Sequence, residues 1–252
     1  MINNRRDELL QFIQGKGESQ LNELFKLYPG LSSMTVRRDL EYLEKKGLIV
    51  RFRGGVKKSG RTGAVSEDLF SERMIEHIEA KNIIAQKTLS FLEKDRSIFI
   101  DSGTTMMCLA KALPDEAFSI VTSGPNIGLE IIKKNNPTVT LVGGQLSRTN
   151  LTTSGVNAIA FIKSVNLDIA LLAASGFSLK SGFSIGNYSE CELKKMVIKK
   201  ARKIIVLLDV SKIDKSMPYT FADLKDIDLL ITDKSPGENI LIAAEKYSVS
   251  VF

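Results

Sequence analysis

A helical apolar period that ends in a glycine and passes at once into a strand period constrains this chain most. From Ser33 to Gly47, Val36, Leu40 and Leu43 recur at i, i+4 and i+7, the spacing of a single helix face. Thr35, Arg37, Arg38 and Lys45 fall elsewhere on that helix, giving it an apolar side for a core and a basic side for something outside it. Past Gly47 the period becomes two, which puts Val50 and Phe52 on one side of a short strand and Arg51 and Arg53 on the other. Upstream, Leu9, Phe12 and Ile13 space a first helix that breaks at Gly15-Lys16-Gly17. Leu21, Leu24, Phe25 and Leu27 space a second, ending at Pro29-Gly30. The turn Tyr28-Pro29-Gly30-Leu31 leads into the third helix, which Ser32 or Ser33 can cap by accepting a backbone N–H. Helix, helix, turn, helix and wing within residues 1–58 describe a winged helix-turn-helix. Such a domain offers the N-terminal half of its third helix to a DNA major groove.

Charge supports this independently. Residues 1–58 hold twelve Lys and Arg against seven Asp and Glu, so nearly all of the chain's formal +6 sits there. The rest is almost balanced, and only the first domain looks built to meet a polyanion. A pair such as Arg37-Arg38 is often just a solvated helix face. The attached turn and wing arginines favour operator double-stranded DNA, with Ser33, Thr35, Arg37 and Arg38 at the groove and Arg51 and Arg53 on phosphates. A protein that coats DNA without sequence preference is a further reading, and a single recognition helix joined to a ligand domain argues against it.

At 252 residues the chain has room for two domains. The expected division is 1–58 for the DNA-binding domain, 59–71 for a linker, and 72–252 for an α/β domain. The linker begins in the basic, glycine-containing Lys57-Lys58-Ser59-Gly60-Arg61-Thr62-Gly63, which has no apolar period. A helix is expected over 72–92, where Met74, Ile78, Ala85, Leu89 and Leu92 keep helical spacing. No run of 18 apolar residues and no charged leader with an apolar segment occurs, so the expected location is the cytoplasm, with no membrane contact. Cys108 and Cys191 lack CxxC spacing and are expected to be reduced and structural. The single His77 sits beside Glu76 and Glu79 and reads as a surface residue. Neither a metal site nor a cofactor is expected.

Beyond the linker, β-rich apolar runs at 97–100, 118–122, 139–142, 167–173, 203–208, 229–232 and 249–252 alternate with helical periods at 105–113, 125–134, 156–163, 189–201 and 236–247. That alternation predicts a doubly wound, mostly parallel α/β domain, which takes ligands outside the carboxyl ends of its strands. The residues at those ends form one chemical set: Asp101-Ser102-Gly103-Thr104-Thr105, Thr122-Ser123-Gly124-Pro125-Asn126, Gly143-Gly144, Ser175-Gly176 and Asp209-Val210-Ser211-Lys212. Glycines and small hydroxyl residues at strand-to-helix turns free backbone N–H groups for an anion, and the following helix N-terminus adds a favourable field. A lone Gly-Thr-Thr would say little, because turns need glycine anyway. Its repetition at successive strand ends points to a phosphorylated ligand, with Asp101 to Thr105 as the phosphate cradle.

Thr35-Val36-Arg37-Arg38-Asp39-Leu40, Leu43-Glu44, Gly47-Leu48, Arg51 and Arg53-Gly54-Gly55-Val56 together resemble the DeoR family of bacterial transcriptional repressors. The resemblance continues through Asp101-Ser102-Gly103-Thr104-Thr105, Val121-Thr122-Ser123, Gly143-Gly144, Asp168, Gly182, Glu192 with Lys194-Lys195-Met196, and Asp209 with Ser211-Lys212. It implies a sensor domain resembling ribose-5-phosphate isomerase and a sugar-phosphate effector that releases the repressor from its operator. In that picture the phosphate rests on Gly103-Thr104-Thr105, Lys212 and Lys194 add charge, and Asp101, Asp168 and Asp209 accept hydroxyl hydrogen bonds. A homodimer or homotetramer is expected, because one short recognition helix covers few base pairs. The competing class is a sugar-phosphate isomerase-like enzyme, since Asp101, Asp168, Asp209, Lys194 and Lys212 could move protons. No catalytic residue is assigned: the chain shows no recognisable nucleophile-and-base motif, and such an enzyme has no use for a basic winged helix.

Overall fold

The N-terminal apolar spacings close into three helices in the computed structural model, which describes residues 2–45, 48–52, 54–58 and 70–252. The chain divides into two compact units, 1–64 and 65–252. Arg53 and nearly all of the expected linker lie outside the described residues; of that linker, residues 70 and 71 already belong to a helix.

The first unit runs α1 (Ile2–Lys16), β1 (Glu18–Gln20), α2 (Leu21–Lys26), α3 (Ser33–Lys45), β2 (Ile49–Phe52) and β3 (Gly55–Lys58). Leu9 and Ile13 of α1, Leu24 of α2, Val36, Leu40 and Leu43 of α3, Ile49 of β2 and Val56 of β3 are buried together. This is the face the i, i+4, i+7 spacing selects. The strands form an antiparallel sheet of order β1-β3-β2. β1 had no signal in the sequence, because only Ser19 of its three residues is buried. Val50 and Phe52 share a side as expected, yet both are exposed, and Ile49 on the opposite side supplies the core contact. At Gly55 a Cβ would sit 2.4 Å from the Phe52 ring, so the β2–β3 turn closes only over a hydrogen.

The second unit opens with α4 (Phe70–Ile75) and α5 (Ile78–Leu89), two helices where the apolar period suggests one. The break is His77, exposed as expected but in the left-handed region at φ 50°. The buried Lys81 ammonium donates to the Arg73 and Glu76 carbonyls and so satisfies the end of α4 in place of a continuing helix. Then follow β4 (Ser97–Ile100), α6 (Thr104–Ala112), β5 (Ser119–Thr122), α7 (Pro125–Ile131), β6 (Thr138–Leu141), β7 (Gln145–Leu146), β8 (Thr153–Ser154), α8 (Val156–Ser164), β9 (Leu167–Ala173), β10 (Gly176–Ser178), β11 (Gly182–Ile185), α9 (Tyr188–Lys200), β12 (Ala201–Leu207), β13 (Tyr219–Ala222), β14 (Leu229–Ile231), α10 (Glu238–Lys246) and β15 (Ser250–Val251).

Seven strands make a parallel sheet of order β15-β14-β12-β9-β4-β5-β6. Along β9, Ala170 and Leu172 point into one apolar cluster with α8, α9 and α10. Ile169 and Leu171 point into another with α5, α6 and α7. Burial on both faces is why these strands read as continuous apolar runs. The chain winds outward from β4 through β5 to β6, then returns to β9 on the other side of β4 and winds the opposite way. The topological switch therefore lies between β4 and β9, and the crevice at their carboxyl ends is where such a sheet takes a ligand. Two smaller sheets had no signal in the sequence: β10-β11-β13 and the β7-β8 pair. Among the described residues no helix is long and apolar enough to cross a membrane.

Candidate functional site

On the first unit the candidate surface is the exposed side of α3. Ser32, rather than Ser33, caps it: its Oγ accepts the Thr35 N–H at 3.2 Å and lies 3.0 Å from Thr35 Oγ1. Ser33 is instead the first helical residue, exposed beside Met34, Arg37 and Arg38. Met34 is 63% exposed on the first turn, an apolar side chain that the basic-face reading overlooked. The Arg37 guanidinium stands 5.5 Å over the Phe25 ring of α2, and the residue remains exposed. Arg51 pairs with Glu44 at 3.6 Å, and its backbone N–H donates to the same carboxylate, fixing the wing against the end of α3.

Two of the basic residues counted above face inward. Asp39, 1% exposed, accepts from Arg5 at 2.6 Å and Arg6 at 2.8 Å, and Arg6 also stacks 4.0 Å from the Tyr42 ring. These pairs lock α1 to α3 and subtract from the charge offered to DNA. Asp39→Ala is expected to destabilise this unit by about 1.5–3 kcal/mol, the range for hydrogen bonds to charged groups. Urea melts of the full chain check it; a change within 0.5 kcal/mol, the usual range for surface positions, would mean the arginines re-pair elsewhere.

On the second unit a cleft opens at the β4/β9 switch. Its walls are Ser102, Gly103, Thr104 and Thr105 after β4, Ala173, Ala174 and Ser175 at the end of β9, Ile185 at the end of β11, Glu190 and Lys194 of α9, and Arg73, Asn150 and Lys212. Gly103 caps α6 at φ 106°, a conformation L side chains rarely adopt, and its missing Cβ would meet no atom within 4 Å. The turn therefore bares the first amides of α6, which have no acceptor inside the helix, to open space.

Behind this cradle lies a buried charge cluster. The Lys194 ammonium donates to Asp101 and to the Ala173 carbonyl at 3.1 Å, and pairs with Glu190 at 3.3 Å. Burial alone would push that ammonium down, but the Asp101 and Glu190 carboxylates outweigh it and hold Lys194 above its ordinary value. Asp101 also accepts the Ala173 N–H at 3.0 Å, which ties the ends of β4 and β9 together. Asn187 caps α9 by accepting the Glu190 N–H at 3.0 Å. At the cleft edge Lys212 pairs with buried Asp209 at 3.2 Å. Burial would raise the Asp209 carboxyl, yet Lys212 and the Ser211 hydroxyl hold it below the usual carboxylate range.

The structure thus brings Ser102, Gly103, Thr104, Thr105, Lys194 and Lys212 together, with Asp101 and Asp209 behind their lysines. Three expectations need correction. Asp168 stands at the opposite, amino-terminal end of β9, where it accepts the Ser97 N–H at 3.0 Å and faces Arg202 at 3.5 Å; it staples strands and meets no ligand crevice. Gly144, at φ 146°, is required where the β7–β8 pair closes, since a Cβ there would lie 2.4 Å from the Ser154 carbonyl; neither it nor Gly143 lines the cleft. Gly176 is outside it too, in a place where a Cβ would lie 2.6 Å from the Lys215 carbonyl oxygen. Missed altogether were Arg73, Asn150, Ile185 and Glu190. Only Glu190 had a legible signal, its i, i+4 spacing to Lys194 at the start of a helix. Cys108 and Cys191 are free and buried, and burial pushes both thiols up.

A family model described as the DeoR-like helix-turn-helix domain matches residues 5–61, and one described as the DeoR C-terminal sensor domain matches 76–234. The HTH-type transcriptional regulator GlpR of Haloferax volcanii is 31% identical over 227 residues, covering 90% of this chain and 86% of that protein. The HTH-type transcriptional regulator IolR of Bacillus subtilis is 30% identical over 231 residues, 91% and 90% of the two chains. Among solved structures, ribose 5-phosphate isomerase A from Methanocaldococcus jannaschii aligns over 55% of each chain with 14% identity and a TM-score of 0.41. With a family model over each unit and regulators matched over nine-tenths of its length, the chain belongs to the DeoR family of transcriptional regulators, a helix-turn-helix unit followed by a sensor unit, and is not an enzyme.

Proposed function

We propose that this regulator represses a carbohydrate catabolic operon in the cytoplasm, as a homodimer or homotetramer, and that a phosphorylated sugar relieves the repression. The cleft carries the reading: at the topological switch it offers a glycine-opened helix N-terminus with Lys212 at its edge, a phosphate-seeking arrangement. The phosphate rests on the amides after Gly103, and the sugar lies toward α9. The buried Asp101, Lys194 and Glu190 are engaged with one another, which suits a binding wall better than a proton relay. Exposed Leu129 on α7, Ile132 at its C-cap and Leu141 on the edge strand β6 favour assembly through the sensor unit. Gel shifts on the promoters of the chain's own gene neighbourhood, with and without a panel of sugar phosphates, test the whole scheme. Retention of the operator complex throughout the panel would count against relief by a sugar phosphate.

At the DNA, Thr35, Arg37 and Arg38 enter the major groove while Arg51 and Arg53 hold backbone phosphates. Arg38→Ala is expected to cost about 1–3 kcal/mol of operator affinity with much less loss on random duplex, as for an arginine reading a guanine edge. Fluorescence anisotropy across a salt series separates the roles. Equal loss on both duplexes, with a salt slope lower by about one, would make Arg38 a phosphate contact instead.

A further inference from the structure

Five buried side-chain atoms without a hydrogen-bond partner belong to four residues around one loop of the sensor unit: Ser123 Oγ, both amide atoms of Asn126, Asn150 Oδ1 and Thr152 Oγ1. Ser123 and Thr152 are fully buried and Asn150 is 4% exposed. Buried polar groups are ordinarily paired, so such a concentration marks a place built for something else to fill. The four sit on two elements that meet at a hydrogen bond, the Thr153 N–H donating to the Ser123 carbonyl at 2.7 Å. One element is the turn after β5 with the first turn of α7, beside β4 in the sheet; the other is loop 147–152 between β7 and β8. Of the four, Asn150 is part of the cleft wall, where its amide nitrogen donates to Glu190; Ser123, Asn126 and Thr152 are not in that wall and are linked to it through the Asn150 loop.

A second observation concerns the same loop. Leu151, between Asn150 and Thr152, is held in the left-handed region at φ 52°. A leucine there is strained, and strain of this kind persists where surrounding structure enforces it and gathers at ligand sites and switches. The loop also reaches the point where the chain enters the sensor unit, since the Thr149 carbonyl accepts the Phe70 N–H of α4 at 2.8 Å.

We propose that Ser123, Asn126, Asn150 and Thr152 form an uncharged subsite that takes hydroxyl groups of the effector, with loop 147–152 as the element that moves to admit them. The proposal rests on the phosphorylated-sugar reading above and deepens it. All four side chains are neutral, and together they offer both donors and acceptors, which suits hydroxyls rather than a carboxylate or an ammonium. Adjacent parallel strands lie about 4.8 Å apart, so a phosphate over the end of β4 and hydroxyls over the end of β5 are within reach of one short carbon chain. Movement of the loop would bear on Phe70 and so on the chain that leads to the DNA-binding unit.

Calorimetry on the full-length protein tests this with inorganic phosphate, ribose 5-phosphate, glucose 6-phosphate and fructose 6-phosphate as probes. The preference for the best sugar phosphate over inorganic phosphate is expected to fall about tenfold in Thr152→Val, the loss of roughly one hydrogen bond, and again in Ser123→Ala. Thermal melting identifies any variant that fails to fold, and the other then decides. An unchanged preference in the folded variants would show that ordered water fills the subsite, overturning the proposal. A wild-type chain that binds inorganic phosphate as well as every sugar phosphate overturns the subsite and leaves the cradle standing. Binding of none of the four probes would overturn the cradle and the subsite together.

Discussion

Lys194→Met is expected to destabilise the sensor unit by about 3–5 kcal/mol, the cost of breaking a buried ion pair from one side. The ammonium is 2% exposed between the Asp101 and Glu190 carboxylates, themselves 2% and 6% exposed. Its removal leaves two anions facing each other away from water. At about 2–4 °C per kcal/mol for a unit of this size, the melting temperature should drop by roughly 10 °C. Lys194→Met with Asp101→Asn should recover part of the loss, since one of the stranded charges is gone. Urea and thermal melts of the full chain check each point. A loss below about 1 kcal/mol, the ordinary value for an exposed pair, would show that water reaches the triad.

That triad also marks where sequence reading stops. Periodicity located every strand of the seven-stranded sheet and the helices that cover it, because the central strands are buried on both faces and the helices pack an apolar face on them. The glycine-opened turn before α6 was legible too, since Gly103 and its flanking hydroxyl residues are consecutive in the chain. Long-range pairing was not. Asp39 looks like any acidic helix residue until α1 brings Arg5 and Arg6 onto it. Asp168 entered as a ligand through the family resemblance, although the expected strand 167–173 already put it at the amino end; its pairing with the Ser97 N–H and Arg202 was what the sequence hid. Asn150 belongs to an irregular loop with no period, and its place in the cleft follows from a tertiary bond to Glu190. The β10-β11-β13 sheet was missed because its short strands, GFS, GFSI and YTFA, mix glycine, serine and threonine with aromatics and lack the aliphatic runs that mark the equally short strands of the main sheet.

Gly103→Ala is expected to weaken effector binding by well over tenfold and leave the operator occupied at effector levels that release the wild type. Two effects act together. At φ 106° an L side chain costs about 1–3 kcal/mol of strain, which alone corresponds to roughly 5- to 150-fold if the turn reshapes to avoid it. The added methyl group also projects into open space at the cradle, where the phosphate is proposed to lie. The fold supplies its own control. Gly237 caps α10 at φ 102°, its missing Cβ likewise meets nothing within 4 Å, and it is no part of the cleft wall. Gly237→Ala should therefore carry the backbone penalty without the effector defect. Anisotropy of an operator duplex, titrated with the same sugar phosphates and read beside thermal melts of both variants, separates strain from site. If the two variants lose the same stability but only Gly103→Ala resists release, the phosphate lies at the α6 N-terminus. Equal responses to effector in both would move the phosphate away from that turn.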